Sequence, residues 1–351
     1  MDGLKRTGKE MKDMIILGIE TSCDETAAAL VSDGTKILSS TVFSQIRAHR
    51  PFGGVVPEIA SRKHIEALVP ALDDAFEKAG LGFDDIDAIA VTMGPGLIGS
   101  LLAGFSFAKA CAFSRGLPWI GVNHLEGHVN SVFLEPAPPP FPFVALLASG
   151  GHTTLYHATS HTRMEIMGQT RDDAAGEAYD KVSGMLGLGY PGGKVIDDLA
   201  AAGEPGNLSF PRAWLDKNAF DFSFSGLKTA VKRHIEAAGA LSEKEIRDIA
   251  AEFQAAAVDV LACKLIRAAE KKDCRHIAVV GGVAANQGLG ARVRKDADAA
   301  GMTVHIPSPG LCGDNAAMIA SAGHWRLMEK GPENISPGLG ADVFSKIPPL
   351  L

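Results

Sequence analysis

His124 and His128, in the segment NHLEGH, are the residues of this sequence best suited to hold a metal. On a helix, positions i and i+4 share a face, so both imidazoles can turn toward one ion, and neutral imidazole suits zinc or iron. A second segment, CGDNAAMIA, puts Asp314 at the expected start of a helix. A carboxylate is favoured there by the exposed N–H groups, and it can serve as a third ligand. A third, ASGGHTT, is a Gly-rich turn between two apolar runs. Its backbone N–H groups, around Ser149, Gly150, Gly151 and His152, can meet an anion with no Cβ in the way. A metal beside a phosphate cradle points to chemistry on a nucleotide-like substrate. Two of these features also have a plainer reading: a chance pair of helical histidines and an ordinary hairpin turn.

Other segments carry weaker signals. GGVAAN (281–286) follows an apolar run and opens a helix. Its glycines permit close approach of a ligand, and Asn286 can either read a ligand polar group or cap the helix. Residues 176–197 hold Asp180, a YPGG turn with Gly193, and Asp197. Amides at a helix start face outward there, and the two carboxylates can accept hydrogen bonds from ribose hydroxyls or stay on a solvated face. Lys228, Lys232 and Arg233 form a basic stripe, either a phosphate-backbone contact or an exposed helix face. Arg47, Arg50, Arg62 and Lys63 form a second basic group with the same two readings. Glu126 lies two residues after His124, whereas the zinc-protease motif HExxH places its glutamate one residue after the first histidine. That offset turns the carboxylate to another face and weakens a protease reading.

The elements that must position these groups alternate between strand and helix. MIILGIE, a polar turn TSCDET and AAALVS match in pattern FVALLAS, GGHT and TLYHATS. One hairpin used twice hints at a duplicated architecture. Helical spacing of apolar residues predicts helices over 57–79, 98–114, 176–187, 193–202, 225–238, 242–271, 284–299 and 314–329. Apolar runs predict strands at 86–92, 118–122, 276–282 and 302–307. Such alternation implies α/β layers with ligands beyond the carboxyl ends of strands. The proline-rich stretch 135–142 is the expected lobe boundary. The expected division is an N-terminal extension over 1–13, a first lobe of 14–134 plus about 322–345, and a second lobe of 135–321.

Bulk composition sets limits. The 351 residues are 46% hydrophobic, enough for two lobes with a real core. A net charge of −7 argues against a protein that coats nucleic acid by charge alone. Five cysteines without a CxxC pair read as free thiols of a reducing cytoplasm. The polar N-terminus does not read as a secretory signal, and no apolar run has the length of a membrane span.

In their order along the chain, these motifs closely resemble the TsaD family of tRNA N6-adenosine threonylcarbamoyltransferases, long described as O-sialoglycoprotein endopeptidases. The resemblance rests on GIETSCDET (18–26), GGVVPEIASRKH (53–64), VTMGPGLIGSL (91–101), NHLEGH and LLASGGHT (146–153). It continues in DDAAGEAYDKV (172–182), YPGG, FSFSGLKTAV (222–231), GGVAAN and CGDNAAMIA. It implies an α/β, two-lobed fold like that of actin, sugar kinases and heat-shock ATPases, with duplicated mixed sheets and a central cleft. The implied reaction moves the threonylcarbamoyl group of threonylcarbamoyl-adenylate to N6 of the adenosine next to the anticodon, in tRNAs reading ANN codons, and releases AMP. By the same resemblance His124, His128 and Asp314 hold one divalent metal, Fe2+ before Zn2+. Leu147, Ala148, Ser149, Gly150, Gly151, Asp180, Gly193, Asp197 and Asn286 bind the adenine nucleotide or the adenylate. The implied partners are tRNA, the paralogous TsaB, the ATPase TsaE and a TsaC-type enzyme that supplies the adenylate, with no membrane. The alternatives are a metalloprotease built on NHLEGH and a nucleotide-binding scaffold without catalysis. No residue is assigned as general base.

Overall fold

The computed structural model describes residues 13–214, 219–331, 335–338 and 340–346. Apart from Asp13, the expected N-terminal extension lies outside them. The first half runs β1 (Ile15–Glu20), β2 (Glu25–Ser32), β3 (Lys36–Ser44), a single turn α1 (Ile46–His49), α2 (Pro57–Ala79), β4 (Ala88–Gly94), α3 (Ile98–Arg115), β5 (Trp119–Asn123) and α4 (His124–Asn130). The second runs β6 (Phe143–Ala148), β7 (Thr153–Ala158), β8 (Met164–Gln169), α5 (Ala175–Met185), α6 (Gly192–Ala200), α7 (Ser225–Ala238), α8 (Glu243–Lys271), β9 (His276–Val280), α9 (Gln287–Ala300), β10 (Thr303–His305), α10 (Pro309–Cys312) and α11 (Ala316–Lys330).

The strands form two five-stranded sheets, ordered β3-β2-β1-β4-β5 and β8-β7-β6-β9-β10. In each, the first three strands are an antiparallel meander and the last two join in parallel. Both halves of the chain therefore repeat one topology, as the paired hairpins predict. Central strands β1 and β6 are buried on both faces, which is why they read as unbroken apolar runs. Sequence patterning gave no strand at β3 or β8. Both are edge strands with mostly exposed or half-buried residues, so their apolar signal is thin.

Alternating side chains of the first sheet feed two cores. Leu17, Ile19, Ile89 and Val91 pack under α2 and α3, while Ile16, Ala88, Ala90 and Val122 meet α11. The expected return to the first lobe near residue 322 falls inside α11, where Ala316–Ala320, Ala322 and Leu327 all belong to that second core. In the second sheet, Val144, Leu146 and Leu155 pack under α5 and α8. Its other face takes Leu125 and Val129 of α4. Helix α4 thus lies between the halves, with Gly127 so close to α11 that a Cβ there would reach Ile319 Cδ1 at 2.8 Å. No helix among the described residues is long and apolar enough to cross a membrane.

Candidate metal centre and nucleotide cleft

Helix α4 starts at the carboxyl end of β5, where Asn123 accepts a hydrogen bond from the Leu125 N–H and caps it. The first and fifth residues of this helix are His124 and His128, both buried, with rings in edge-to-face contact at 4.7 Å. Asp314 comes from the loop before α11. A Cβ on Gly18 would collide with the Ala316 carbonyl, so a bare backbone at β1 is what lets this segment sit over the first sheet. The helix cap is Asn315, which accepts from the Met318 N–H, rather than Asp314. One residue outside the cap, the Asp314 carboxylate is free to turn to the histidines. Its Oδ1 lies 3.1 Å from His128 Nε2 and 3.6 Å from His124 Nε2.

The ligand atoms of these three residues lie within 4.8 Å of one another. A divalent cation fits the set: two imidazoles and a carboxylate converge, and His128 Nδ1 is buried without a hydrogen-bond partner. Behind them Glu20, fully buried at the end of β1, takes His124 Nδ1 at 2.9 Å, Thr92 Oγ1 at 2.6 Å and the Ser22 N–H. The Glu20 bond fixes the His124 tautomer and leaves Nε2 facing Asp314. Burial works against both charges, yet mutual attraction holds Glu20 below the usual carboxylate range and raises His124 to about 9. Asp314 is likewise held well below that range, against burial, chiefly by His124 and His128. The negative field also acts on a neighbour: burial and the charges of Asp24 and Asp314 push Glu25 up to about 9, so its carboxyl stays protonated at neutral pH.

The second half supplies the opposite chemistry. Residues 149–152 close the β6–β7 hairpin, with the Ser149 N–H donating to the His152 carbonyl at 2.8 Å. A Cβ on Gly150 or Gly151 would meet nothing within 4 Å, so their backbone faces open space. Leu147 and Ala148 lie within β6, fully buried, and support this turn. Burial, with His124 and His128 opposite, depresses His152 to about 4, so its imidazole is neutral.

Close backbone contacts bring the start of α5 and the segment after β9 to this turn. Gly176 at the start of α5 donates to the Ser149 carbonyl at 3.1 Å. Gly281 adopts φ +89° and packs on the Ala148 carbonyl, where a side chain would both strain and collide. Asn286 caps α9, its Oδ1 accepting from the Leu289 N–H at 2.7 Å. Asp180 accepts from the Gly192 N–H at 2.7 Å at the start of α6, beside Gly193, which is open where a Cβ would stand. Burial raises Asp180, helped by Asp24 across the cleft. Asp197 is more enclosed: it accepts from Gln254 Nε2 and the Gln287 N–H, both at 2.8 Å, and from the Gly288 N–H at 3.4 Å.

Glu126 turns away from the metal ligands as its offset predicts, whereas Lys228 departs from the sequence reading. Glu126 faces α11 and is held there by the Arg326 guanidinium, outside the metal cluster. Nothing in that arrangement offers a carboxylate to a metal-bound water, which removes the basis of the protease alternative. Lys228 does not join a free basic stripe either, because it is ion-paired with Asp173, which also takes Lys181 at 2.9 Å. Lys232 and Arg233 remain exposed. Sequence reasoning missed the supporting roles of Glu20 and Gln254. Glu20 lies in an apolar strand, where a lone acid is the only signal, and Gln254 lies mid-helix in α8 with no motif around it.

A family model described as TsaD, tRNA N6-adenosine threonylcarbamoyltransferase, matches residues 36–321. A curated protein of that same description from Desulforapulum autotrophicum is 56% identical over 333 residues, covering 95% of this chain and 99% of its own. Another, from Symbiobacterium thermophilum, is 49% identical over 339 residues, covering 95% and 99%. Among solved structures, full-length HypF in a phosphate- and nucleotide-bound form superposes with a TM-score of 0.60 at 13% identity, over 91% of this chain and 47% of HypF. The activator of 2-hydroxyisocaproyl-CoA dehydratase from Clostridium difficile, with bound ADPNP, gives 0.55 at 14% identity, over 93% and 100%. At such identities the likeness concerns the fold alone, a two-lobed actin-like architecture.

Proposed function

The chain belongs to the TsaD family of tRNA N6-adenosine threonylcarbamoyltransferases and is a tRNA-modifying transferase; from that premise we propose how its cleft does the work. The donor is threonylcarbamoyl-adenylate, lying between the two halves. Its phosphate rests on the open backbone of Ser149, Gly150 and Gly151, supported by Leu147 and Ala148, and its nucleoside lies toward Asp180, Gly193, Asp197 and Asn286. His124, His128 and Asp314 hold one divalent metal, Fe2+ before Zn2+, which when bound supplies a Lewis acid to donor oxygens. The convergence of these ligands beside the glycine turn is the observation that carries the reading.

The adenosine N6 amine adds to the carbamoyl carbonyl carbon. The bond from that carbon to the phosphate oxygen breaks, AMP leaves with the electron pair, and the N6 nitrogen gives up a proton. An acyl phosphate is already activated, so the chain's residues contribute mainly position and charge. Amides of the turn offset the charge gathering on the leaving phosphate. Neutral His152 adds no cation beside the metal ligands. Buried Glu20 keeps His124 oriented.

The acceptor is the adenosine next to the anticodon of tRNAs reading ANN codons. A chain of net charge −7 needs help to hold that polyanion, which supports TsaB and TsaE as partners, with a TsaC-type enzyme making the adenylate. Exposed Val42, Phe43, Ile65 and Val69, on β3 and α2, favour a protein partner as well. The setting is cytoplasmic, in keeping with five free thiols. The test is mass spectrometry of tRNA after incubation with the purified chain, these partners and synthetic adenylate. Modified adenosine is expected, and only when the chain is present; unmodified tRNA in the complete mixture would overturn the reading.

A further inference from the structure

Gln254 joins the two ends of the nucleoside site, although nothing in the sequence marks it. It lies on a buried stretch of α8 and bonds in three directions. Its Nε2 donates to Asp197 Oδ1 at 2.8 Å, and its Oε1 accepts from Asn286 Nδ2 at 2.8 Å and from the Tyr179 hydroxyl at 3.4 Å. The direction of every bond is dictated. An ionised carboxylate only accepts, so Asp197 requires the amide nitrogen of Gln254. The Gln254 oxygen must then face Asn286 and requires that residue's nitrogen. The Asn286 oxygen is left to cap α9 at the Leu289 N–H. One N–H of Asn286 remains, and its direction is fixed by the bonds to Gln254 and Leu289.

We propose that Gln254 is a positioning residue for the donor's nucleoside: it relays the orientation of Asp197 to Asn286, so that Asn286 presents a hydrogen-bond donor to a ring nitrogen of a purine. This rests on the nucleoside placement proposed above. Packing alone does not hold the relay. A cavity of about 300 Å³ opens beside Asp197, Gln254, Gln287 and Gly288, so an unbonded side chain has room to turn. The approach is nevertheless close on one side, where a Cβ on Gly288 would stand 2.5 Å from Gln254 Nε2.

The probe is AMP, titrated calorimetrically into the metal-loaded full chain at neutral pH and near pH 5, with metal content and melting temperature measured alongside. Gln254→Leu keeps the bulk and removes all three amide hydrogen bonds. It should weaken AMP about tenfold, on the order of one or two lost buried hydrogen bonds, and leave the metal in place. In turnover the change should appear in KM for the adenylate more than in kcat. Gln254→Glu is the sharper variant. Ionised, it sets a second carboxylate against Asp197 and should bind AMP worse than Gln254→Leu. Protonated, it offers one donor and one acceptor like glutamine, so its affinity relative to wild type should recover at the lower pH. A residue that merely fills space has no reason to recover. If Gln254→Leu does not fold, the two-pH comparison of Gln254→Glu decides alone. Wild-type AMP affinity in Gln254→Leu, or no recovery in Gln254→Glu, overturns the proposal while Asp180→Ala and Asn286→Ala still weaken AMP. If those two controls also bind AMP normally, the nucleoside placement is wrong and the relay falls with it.

Discussion

The turns that close the β1–β2 and β6–β7 hairpins occupy equivalent places in two sheets of the same strand order, yet they differ in packing and charge. In the first, backbone groups are used within the protein: the Ser22 carbonyl accepts from the Leu97 N–H at 2.8 Å, and the Cys23 carbonyl meets His64 Nε2 at 3.0 Å. Glu20 accepts from the Ser22 N–H of this turn, and Asp24 lies within it. In the second, Gly150 and Gly151 are exposed and open. Duplication fixes where a turn sits; side chains and packing decide what it binds. The filled, acidic turn suits a cation held by His124, His128 and Asp314, and the open one suits an anion.

The largest expected effect comes from breaking the cation end. His124→Ala or Asp314→Ala should remove bound metal and lower transfer by more than the roughly 10–100-fold typical of outer-shell partners. Circular dichroism should show both variants folded, and full metal content by elemental analysis in both would refute the ligand assignment. Next comes the support behind it. Glu20→Gln keeps the shape but loses the charge beside His124, so metal affinity should fall about 10–100-fold in a chelator competition. An unchanged affinity would separate Glu20 from the site.

A pair of glycine substitutions sharpens the contrast between the turns. Gly96→Ala places a Cβ 2.6 Å from the Ser22 carbonyl. It should destabilise the fold by about 1–3 kcal/mol in denaturant titration. Gly151→Ala meets no neighbour and should stay within about 0.5 kcal/mol of wild type, while AMP binding weakens several-fold. Equal stability losses in the two would erase the distinction between filled and open turns. The smallest effect is at the basic helix α7. Lys232→Glu should weaken tRNA binding uniformly and lower the salt slope by about one unit. Lys228→Glu should instead cost stability, because it breaks the pair with Asp173. A salt slope unchanged in Lys232→Glu would retire this helix as a tRNA contact.

Much of this was legible in the sequence, for reasons that differ by element. Helices α2 and α7 span the residues that apolar periodicity predicts for them. The histidine spacing in NHLEGH became a shared helical face because α4 is a real helix from its first residue. What stayed hidden depends on tertiary contact. Asp314 is expected on the first turn of its helix and as a third ligand; it does join the histidines, but from one residue before the cap, which Asn315 provides. Lys228 looked free because its partner Asp173 is 55 residues away. Gln254 gave no signal at all, since its meaning lies in two residues of other elements.

The central claim is that one cleft has a cation end and an anion end, each built on its own sheet. Anomalous diffraction from crystals grown with Fe2+ and AMP tests it most directly. The account predicts a metal peak among His124, His128 and Asp314, with the phosphate against the backbone of Gly150 and Gly151. A metal bound elsewhere, or a phosphate seated at the β1–β2 turn, would contradict it.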